Sequence, residues 1–294
     1  GIQPGDEVIT TPFTFIATAE VIAILKARPV FVDICPATYN LDCNQLADKI
    51  TARTKAIIPV HLFGHPADMD PLMEIARKNN LKVIEDCAQA FGAKYHHRKV
   101  GTIGDIGCFS FFPSKNLAGY GDGGMIITKS EEIAEKIRML RNHGSSKRYY
   151  HQEVGYNSRL DEIQAAIIRI KLKKIDQFNA ARRENAAAYC SLIQRKDIIL
   201  PAVSADCEHV FHQFTIRTNK RDVLAGALQQ KDIASAVYYP VPLHQQEVFL
   251  KLYNDSVKMP VSETCAQEVL SLPMFPELNQ EEIRLIADVI NHAA

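Results

Sequence analysis

Short apolar runs that alternate with helix-like segments dominate the first half of this chain of 294 residues. The runs are Val8–Thr10, Pro29–Asp33, Ala56–Leu62, Lys82–Glu85, Cys108–Phe112 and Met125–Thr128. They are continuously apolar, which is typical of strands buried on both faces of a sheet. Helical periodicity lies between several of them, at Ala17–Ala27, at Asp42–Ile50 and from Asp68 to Asn80. This order predicts an α/β protein with a mostly parallel central sheet and helices on both faces.

The second half mixes longer helices with short strands. Ser158–Tyr189 predicts one long helix, of the kind that often leaves one domain and enters another. Strands are predicted at Val210–Arg217 and Ala236–Tyr239, and helices at Arg221–Gln229 and Gln280–His292. We therefore expect a large ligand-binding domain over residues 1–180 and a smaller α+β domain over residues 181–294.

Charge and cysteine content exclude several classes of protein. Lys and Arg total 34, as do Asp and Glu, so the chain has no basic excess for nucleic acid. No apolar run approaches the roughly 20 residues that span a membrane. The 7 cysteines form no C-x-x-C pair, which is typical of reduced thiols in a cytoplasmic protein. We also expect no metal, because no His, Cys, Asp and Glu set has ligand spacing.

Asp86 is the first candidate for chemistry, because open α/β sheets bind ligands beyond the carboxyl ends of their strands. It directly follows the run Lys82–Glu85. Its carboxylate could pair with a protonated ring nitrogen of a ligand, or it could cap the turn that follows. The residues alone leave both roles open.

Lys115 is the second candidate, just after the run Cys108–Phe112. Apolar residues and the glycine-rich segment Gly119–Gly124 flank it, rather than other charges. A loop lysine is usually a solvated charge, but a desolvated lysine has a lowered pKa and can form a Schiff base. The glycines are not a nucleotide-binding loop, because no Gly-Lys-Ser/Thr ends them and a strand follows.

Two further segments carry candidate ligand contacts. Asn157 and Ser158 are predicted to cap the long helix and to place Arg159 in its first turn. A cation there opposes the helix dipole, which indicates a carboxylate or phosphate partner for Arg159. The rigid, aromatic run from Tyr238 to His244 could be core or could line a ligand.

Together these segments resemble the DegT/StrS-type nucleotide-sugar aminotransferases over essentially the whole chain. The resemblance is carried by Pro12–Ala19, Glu85–Ala90, Ser110–Leu117 with Gly121–Gly124, Gly155–Ala166 and Ser271–Pro276. Several such motifs in one order are far more specific than any single one. The resemblance implies a fold-type-I aminotransferase that uses pyridoxal 5'-phosphate, and it favours the ligand-binding roles for Asp86 and Lys115.

The resemblance also implies the roles of individual residues toward the cofactor. Lys115 would hold pyridoxal phosphate as an internal aldimine and shuttle a proton between the substrate and the cofactor. Asp86 would pair with the pyridinium nitrogen and keep the ring an electron sink. Gln89 would contact the hydroxyl side of the ring, and Phe15 would pack on its face. Ser110 would bind the phosphate.

Other implied contacts cross between subunits of a homodimer. Asn157 would reach the cofactor phosphate of the neighbouring subunit. Arg159 and the Tyr238–Tyr239 turn, also lent by the neighbour, would face the amino donor or the sugar nucleotide. His244, which ends the same aromatic run, is assigned to the substrate side as well.

The implied reaction is a two-step transamination. An amino donor, with L-glutamate expected, would load the cofactor and leave as 2-oxoglutarate, and a keto sugar on a nucleoside diphosphate would then accept the amine. Phe211–Arg217 and Tyr239–Leu243 resemble most the branch that acts on 3-keto sugars, including UDP-linked 3-keto uronic acids, rather than on 4-keto sugars.

In the family, a further N-terminal segment cradles the cofactor phosphate at a helix N-terminus. Because nothing before Gly1 supplies it, we expect this chain to be a fragment that binds pyridoxal phosphate weakly by itself. Two alternatives remain. A sugar dehydratase on the same scaffold has histidine in place of the lysine, so Lys115 disfavours it. A regulatory protein would need a partner-binding or DNA-binding element, and the sequence shows no such motif.

Overall fold

The computed structural model describes residues 1–253 and 257–293. Its strands are β1 (Glu7–Thr10), β2 (Arg28–Phe31), β3 (Thr54–Ile58), β4 (Lys82–Asp86), β5 (Lys94–Tyr95), β6 (Arg98–Lys99), β7 (Ile106–Ser110), β8 (Gly124–Thr128), β9 (Ser145–Lys147), β10 (Tyr150–His151), β11 (Cys207–Glu208), β12 (Phe214–Arg217) and β13 (Val269–Leu272). Its α-helices are α1 (Ala17–Ile24), α2 (Met69–Lys78), α3 (Glu131–Leu140), α4 (Glu162–Leu172), α5 (Ile175–Leu192), α6 (Arg221–Gln229), α7 (Glu247–Tyr253), α8 (Pro260–Glu268) and α9 (Gln280–His292).

The largest sheet in the described residues has six strands in the order β2-β1-β3-β4-β7-β8. All neighbouring pairs are parallel except β7 and β8, which pair antiparallel. The predicted mostly parallel sheet is therefore confirmed. Because β4 and β7 are parallel neighbours, with Asp86 opposite Cys108, the segments that follow them leave the sheet at the same edge.

Alternate residues of the central strands face opposite layers, as the continuous apolar runs predict. Ile9 and Ile57 pack in the same core as the buried face of α2. Their neighbours Val8 and Ala56 pack on the other side, with Ile22 of α1. Helices thus cover both faces of the sheet, which confirms the predicted layers.

A second core lies among α5, α6, α9, β12 and β13. Tyr189 and Phe214 are fully buried there, with ring centroids 4.8 Å apart. The predicted helices Arg221–Gln229 and Gln280–His292 are confirmed. The domain boundary proposed near residue 180 falls inside the continuous helix α5, and it stays a prediction.

The single helix predicted over Ser158–Tyr189 is wrong, because α4 ends at Leu172 and α5 begins at Ile175. Lys171 and Lys173 lie at this break, where cations stabilise the C-terminal end of α4. The N-cap of α4 is Asp161, so Asn157 and Ser158 do not cap the helix. Arg159 likewise precedes the helix rather than lying in its first turn.

The segment Asp42–Ile50 also differs from its predicted helix. It forms two short 3-10 helices, Cys43–Gln45 and Ala47–Lys49. The Asp42 carboxylate accepts hydrogen bonds from the backbone and side-chain amides of Asn44. This local bonding competes with a regular α-helix and explains the difference. In the described ranges, no helix is both long and apolar enough to cross a membrane.

Asp33 ties the first strands to the C-terminal part of the chain. Its buried carboxylate accepts hydrogen bonds from the backbone amides of Val261 (2.9 Å) and Ser262 (3.0 Å), and from the Ser262 hydroxyl (2.6 Å). These amides belong to the first turn of α8, which lacks partners within the helix. Asp33 therefore caps α8 from a distant part of the sequence.

We expect Asp33→Ala to lower the free energy of unfolding by about 3 kcal/mol, because it leaves several buried donors unpaired. Urea unfolding followed by circular dichroism measures this loss. Asp42→Ala is the matched control, because Asp42 caps only a short exposed turn and should cost about 1 kcal/mol. Equal losses for the two variants would contradict the capping role of Asp33.

Candidate active site

Asp86 is the last residue of β4, and two hydrogen bonds fix its carboxylate. Oδ2 accepts from the hydroxyl of Thr18 at 2.8 Å, and Oδ1 accepts from the backbone amide of Ala88 at 3.1 Å. The Thr14 hydroxyl lies 3.3 Å from that of Thr18, whose hydrogen already points to Asp86. The N-terminal turn of α1 therefore orients the carboxylate at the end of the sheet.

Lys115 lies in the loop after β7, and the loop is closed by its own backbone. The backbone amide of Lys115 donates to the carbonyl of Phe112 (2.9 Å), and the backbone amide of Gly119 donates to the carbonyl of Phe111 (2.8 Å). Burial lowers the pKa of the Lys115 amine, while the negative charge of Asp86 partly opposes this shift. The structure thus brings the two main candidates within electrostatic reach of each other, and burial makes the Lys115 amine easier to deprotonate than a solvated lysine.

Gln89 and Tyr239 form one contact in this site although they are far apart in sequence. The Gln89 carboxamide accepts from the backbone amide of Phe63 (2.7 Å) and donates to the Tyr239 hydroxyl (2.9 Å). Burial raises the pKa of Tyr239, and the charge of Asp86 adds to the shift. Tyr239 thus lies beside Gln89 of its own chain, and its expected role in a neighbouring subunit's site stays a prediction.

Tyr238 directly precedes Tyr239 in the chain, and the centroids of the two rings are 5.8 Å apart. Phe15 directly precedes the turn that carries Thr18, and its side chain is 59% exposed. The Phe15 carbonyl accepts from the amide of Thr18 at 3.3 Å. An exposed ring so near the residue that binds Asp86 is free to cover a ligand.

Ser110 ends β7, five residues before Lys115, and its hydroxyl accepts from the amide of Phe112 at 3.2 Å. Asn157 is exposed and pairs with Asn142 beside the end of α3. Arg159 lines a groove of about 900 Å³ along β8, together with Arg138 and Arg141. Within one chain, Asn157 and Arg159 thus lie on a surface beside the site, and their predicted roles depend on a neighbour.

His244 lies elsewhere. Its buried ring is 3.0 Å from a carboxylate oxygen of Glu263. It lines a separate groove with Phe249, Tyr253 and residues of β2. Its assignment to the substrate side stays a prediction.

A buried network stands directly behind Asp86. Glu85 accepts hydrogen bonds from the His61 ring (3.1 Å) and from the amides of Gly101 and Gly104. Burial would raise the pKa of Glu85, but these bonds outweigh it and hold the pKa below its ordinary value. His61, Glu85 and Cys87 lie close enough to hold a metal ion. However, the Ala67 amide donates to Nδ1 of His61, so Nε2 carries the ring hydrogen and donates it to Glu85 instead of offering a lone pair to a metal. We interpret the group as a structural support for Asp86.

Comparison with known proteins identifies the family of this chain. A model of the DegT/DnrJ/EryC1/StrS aminotransferase family matches residues 1–291. The chain belongs to this family. It is an aminotransferase that depends on pyridoxal phosphate, with the fold that the resemblance implies.

Individual relatives agree with this membership. A UDP-N-acetyl-3-dehydro-alpha-D-glucosamine 3-aminotransferase of Acidithiobacillus ferrooxidans is 53% identical over 289 residues, which cover 98% of this chain and 78% of that protein. A pleiotropic regulatory protein of Geobacillus stearothermophilus is 52% identical over 99% of this chain and 79% of its own length. The structure of DesV from S. venezuelae with a ketimine intermediate superposes with a TM-score of 0.96 and is 42% identical, covering 99% of this chain and 79% of that one.

The residues present fit pyridoxal phosphate. The cofactor needs an amine that can attack its aldehyde and a carboxylate that faces its ring nitrogen. Lys115 offers a partly desolvated amine, and Asp86 offers a carboxylate whose two oxygens are already oriented by Thr18 and Ala88. A carboxylate held in this way needs no rearrangement to bind a cationic ring.

Thr18 orients the carboxylate of Asp86, a role that the sequence does not predict. Its only signal was its spacing from Thr14, four residues earlier, which places both hydroxyls on one side of a helical turn. The bond from Thr18 to Asp86 joins residues 68 positions apart, and a local pattern does not reveal such a contact.

We expect Thr18→Val to weaken cofactor binding about tenfold, because a hydrogen bond to a charged group is worth about 1.5 kcal/mol. Titration of the cofactor-free enzyme with pyridoxal phosphate measures the change. Thr14→Val is the matched control and should have a smaller effect, because Thr14 touches Asp86 only through Thr18. Wild-type affinity in Thr18→Val would contradict this role.

Proposed function

We propose that this enzyme transfers the amino group of L-glutamate to a 3-keto sugar carried on a nucleoside diphosphate, with UDP-linked sugars favoured. The observation that carries the proposal is the pairing of a desolvated Lys115 with an oriented Asp86 at one edge of the sheet. The name of the Acidithiobacillus relative, which specifies a UDP-linked 3-dehydro sugar, supports the substrate class.

Each site residue has a task in this reaction. Bound pyridoxal phosphate supplies an electron sink and carries the amino group between the two substrates. Lys115 attaches the cofactor and moves the proton at the reacting carbon, as a neutral amine can. Asp86 keeps a negative charge behind the ring nitrogen. Gln89, which Tyr239 holds in place, would face the ring hydroxyl, and the exposed ring of Phe15 would cover the ring face.

The proposed functional unit is a homodimer, and an exposed apolar surface supports it. The β9–β10 hairpin, the segment that follows it and the first turn of α4 expose Tyr149 (79%), Val154 (95%) and Ile163 (75%). Several large exposed apolar residues within one stretch of sequence favour an interaction surface here. A second copy of the chain on this surface would bring Asn157 and Arg159, which lie on the same segment, to its own cofactor phosphate and substrate. Ser110 would contact that phosphate from within the chain.

A hybrid experiment tests the shared site. We expect Lys115→Ala homodimers to be inactive and Asn157→Asp homodimers to be impaired, since a carboxylate repels the phosphate. When the two variants are unfolded and refolded together, mixed dimers contain one intact site, so activity should reappear. If the mixture is no more active than its parts, Asn157 serves its own subunit or neither.

The substrate assignment is tested by amination of a panel of sugar nucleotides. In the protein loaded with pyridoxal phosphate, glutamate should bleach the visible absorbance of the bound cofactor and release one equivalent of 2-oxoglutarate. We then expect a UDP-linked 3-keto sugar to restore the absorbance and gain the amine, and its 4-keto isomer to react much more slowly. Preference for the 4-keto isomer would contradict the assignment.

The names of relatives such as the Geobacillus protein favour the regulatory alternative. The same spectroscopic experiment separates the two functions. A purely regulatory protein has no need for glutamate to convert its cofactor, whereas the aminotransferase must show this half-reaction even without a sugar. Cofactor absorbance that glutamate leaves unchanged would favour the regulatory function.

A further inference from the structure

The residue after Lys115 is held by an unusually complete set of hydrogen bonds. The side-chain amide nitrogen of Asn116 donates to the Asn179 side-chain oxygen (2.9 Å) and to the Val210 carbonyl (3.0 Å). The Asn116 side-chain oxygen lies 3.2 Å from Nδ1 of His212. Because this oxygen can only accept, Nδ1 of His212 must carry the hydrogen. All three partners lie far from Asn116 in the sequence.

The partners of Asn116 are themselves fixed. Asn179 and His212 are 2% and 5% exposed. Asn179 also donates to the Phe91 carbonyl (3.0 Å), and Arg182 donates to the Phe211 carbonyl (3.0 Å). Helix α5 therefore supplies Arg182, which binds the residue before His212, and Asn179, which binds Asn116. Nε of Arg182 has no hydrogen-bond partner among the described residues, but the groups that contact Asn116 are paired, and paired buried polar groups rigidify their surroundings.

His212 is also electrostatically linked to Lys115. Burial lowers the pKa of His212 far below its ordinary value, and the positive charges of Lys115 and Arg182 add to the effect. The ring is therefore neutral and close to the amine. A neutral ring adds no second cation beside Lys115, and it keeps its Nδ1 hydrogen for Asn116.

We propose that His212 is a positioning residue that acts through Asn116 to fix the Lys115 loop so that Lys115 stays half-buried and reactive. This inference rests on the proposed role of Lys115 as the lysine that attaches the cofactor. Loss of the hydrogen bond from His212 leaves the Asn116 oxygen unpaired, so the loop relaxes toward water. The Lys115 amine then regains hydration and becomes harder to deprotonate.

The test follows the reactivity of Lys115 in the cofactor-free enzyme. Trinitrobenzenesulfonate labels neutral amines, and peptide mass spectrometry gives the labelling rate of Lys115 at each pH, with exposed Lys82 as an internal reference. We expect His212→Leu to move the midpoint of the Lys115 labelling profile upward by about one pH unit. At a pH below the midpoint, this shift lowers the neutral fraction of Lys115 about tenfold. His212→Asn, which keeps a donor near the position of Nδ1, should stay close to the wild type.

A second variant shows whether His212 acts through Asn116. Asn116→Ala should shift the midpoint as His212→Leu does, and the double variant should shift it no further. If His212→Leu fails to fold, Asn116→Ala against His212→Asn still provides the comparison. An unchanged midpoint in both Asn116→Ala and a folded His212→Leu, or additive shifts, would overturn the proposal. Since neither cofactor nor sugar is present, this failure is distinct from failure of the proposed function.

Discussion

We expect Lys115→Ala to abolish amino transfer from glutamate to the keto sugar nucleotide. We expect a loss of roughly 10⁴-fold or more, because one side chain both attaches the cofactor and moves the proton, and general acid–base catalysis alone contributes up to about 10⁴-fold. The fold should survive, since Lys115 lies in a loop that its own backbone hydrogen bonds close. Formation of 2-oxoglutarate from glutamate, followed over hours, measures the loss.

Two variants serve as controls for this result. Lys115→Arg keeps a positive charge near Asp86, but guanidinium is not a nucleophile at neutral pH, so it should be as inactive as Lys115→Ala. Lys82→Ala removes an exposed lysine at the opposite end of the sheet and should leave the rate unchanged. Substantial activity in Lys115→Arg would show that charge, rather than the nucleophilic amine, is what the site requires.

Asp86→Asn has the second largest expected effect. The substitution keeps the size of the side chain but removes the charge that would face the ring nitrogen. At hydrogen-bonding range, an interaction between unit charges is worth about 4 kcal/mol with an effective dielectric constant near 20, which corresponds to a rate loss of roughly 10³-fold. The rate of cofactor conversion by glutamate in single-turnover experiments measures this loss.

The same variant should also change Lys115 without any cofactor. Asp86 raises the pKa of Lys115 against the effect of burial, so its removal lowers that pKa further. The labelling profile of Lys115 in the cofactor-free enzyme should therefore move to lower pH. Asp105→Asn, at the other end of β4 and β7, is the matched control and should leave the profile in place. A shift to higher pH in Asp86→Asn would contradict the described electrostatics.

The sequence predicts the central part of this site because local patterns determine it. Continuous apolar runs locate the strands, and the rule that ligands bind beyond parallel strands brings Asp86 and Lys115 to one edge. Contacts between distant segments are not predicted. The hydrogen bond from Gln89 to Tyr239 joins residues 150 positions apart, and the bond from Asp33 to α8 joins residues more than 220 apart.

The break between α4 and α5 shows a second limit. Helical periodicity continues across it, so the pattern indicates one helix, whereas the structure ends α4 at Leu172. The resemblance implies that Tyr239 serves a neighbouring subunit's site, but it does not indicate the contact of Tyr239 with Gln89 within the chain. Patterns indicate which residues form elements, while packing determines where the elements end and what they touch.

The most direct test of the central claim is to locate the bond between cofactor and protein. The protein, loaded with pyridoxal phosphate, is reduced with borohydride, digested and mapped by mass spectrometry. We predict one pyridoxyl group per chain, on Lys115. A pyridoxyl group on any other lysine, with Lys115 unmodified, would contradict the assignment of Lys115 and with it the proposed site.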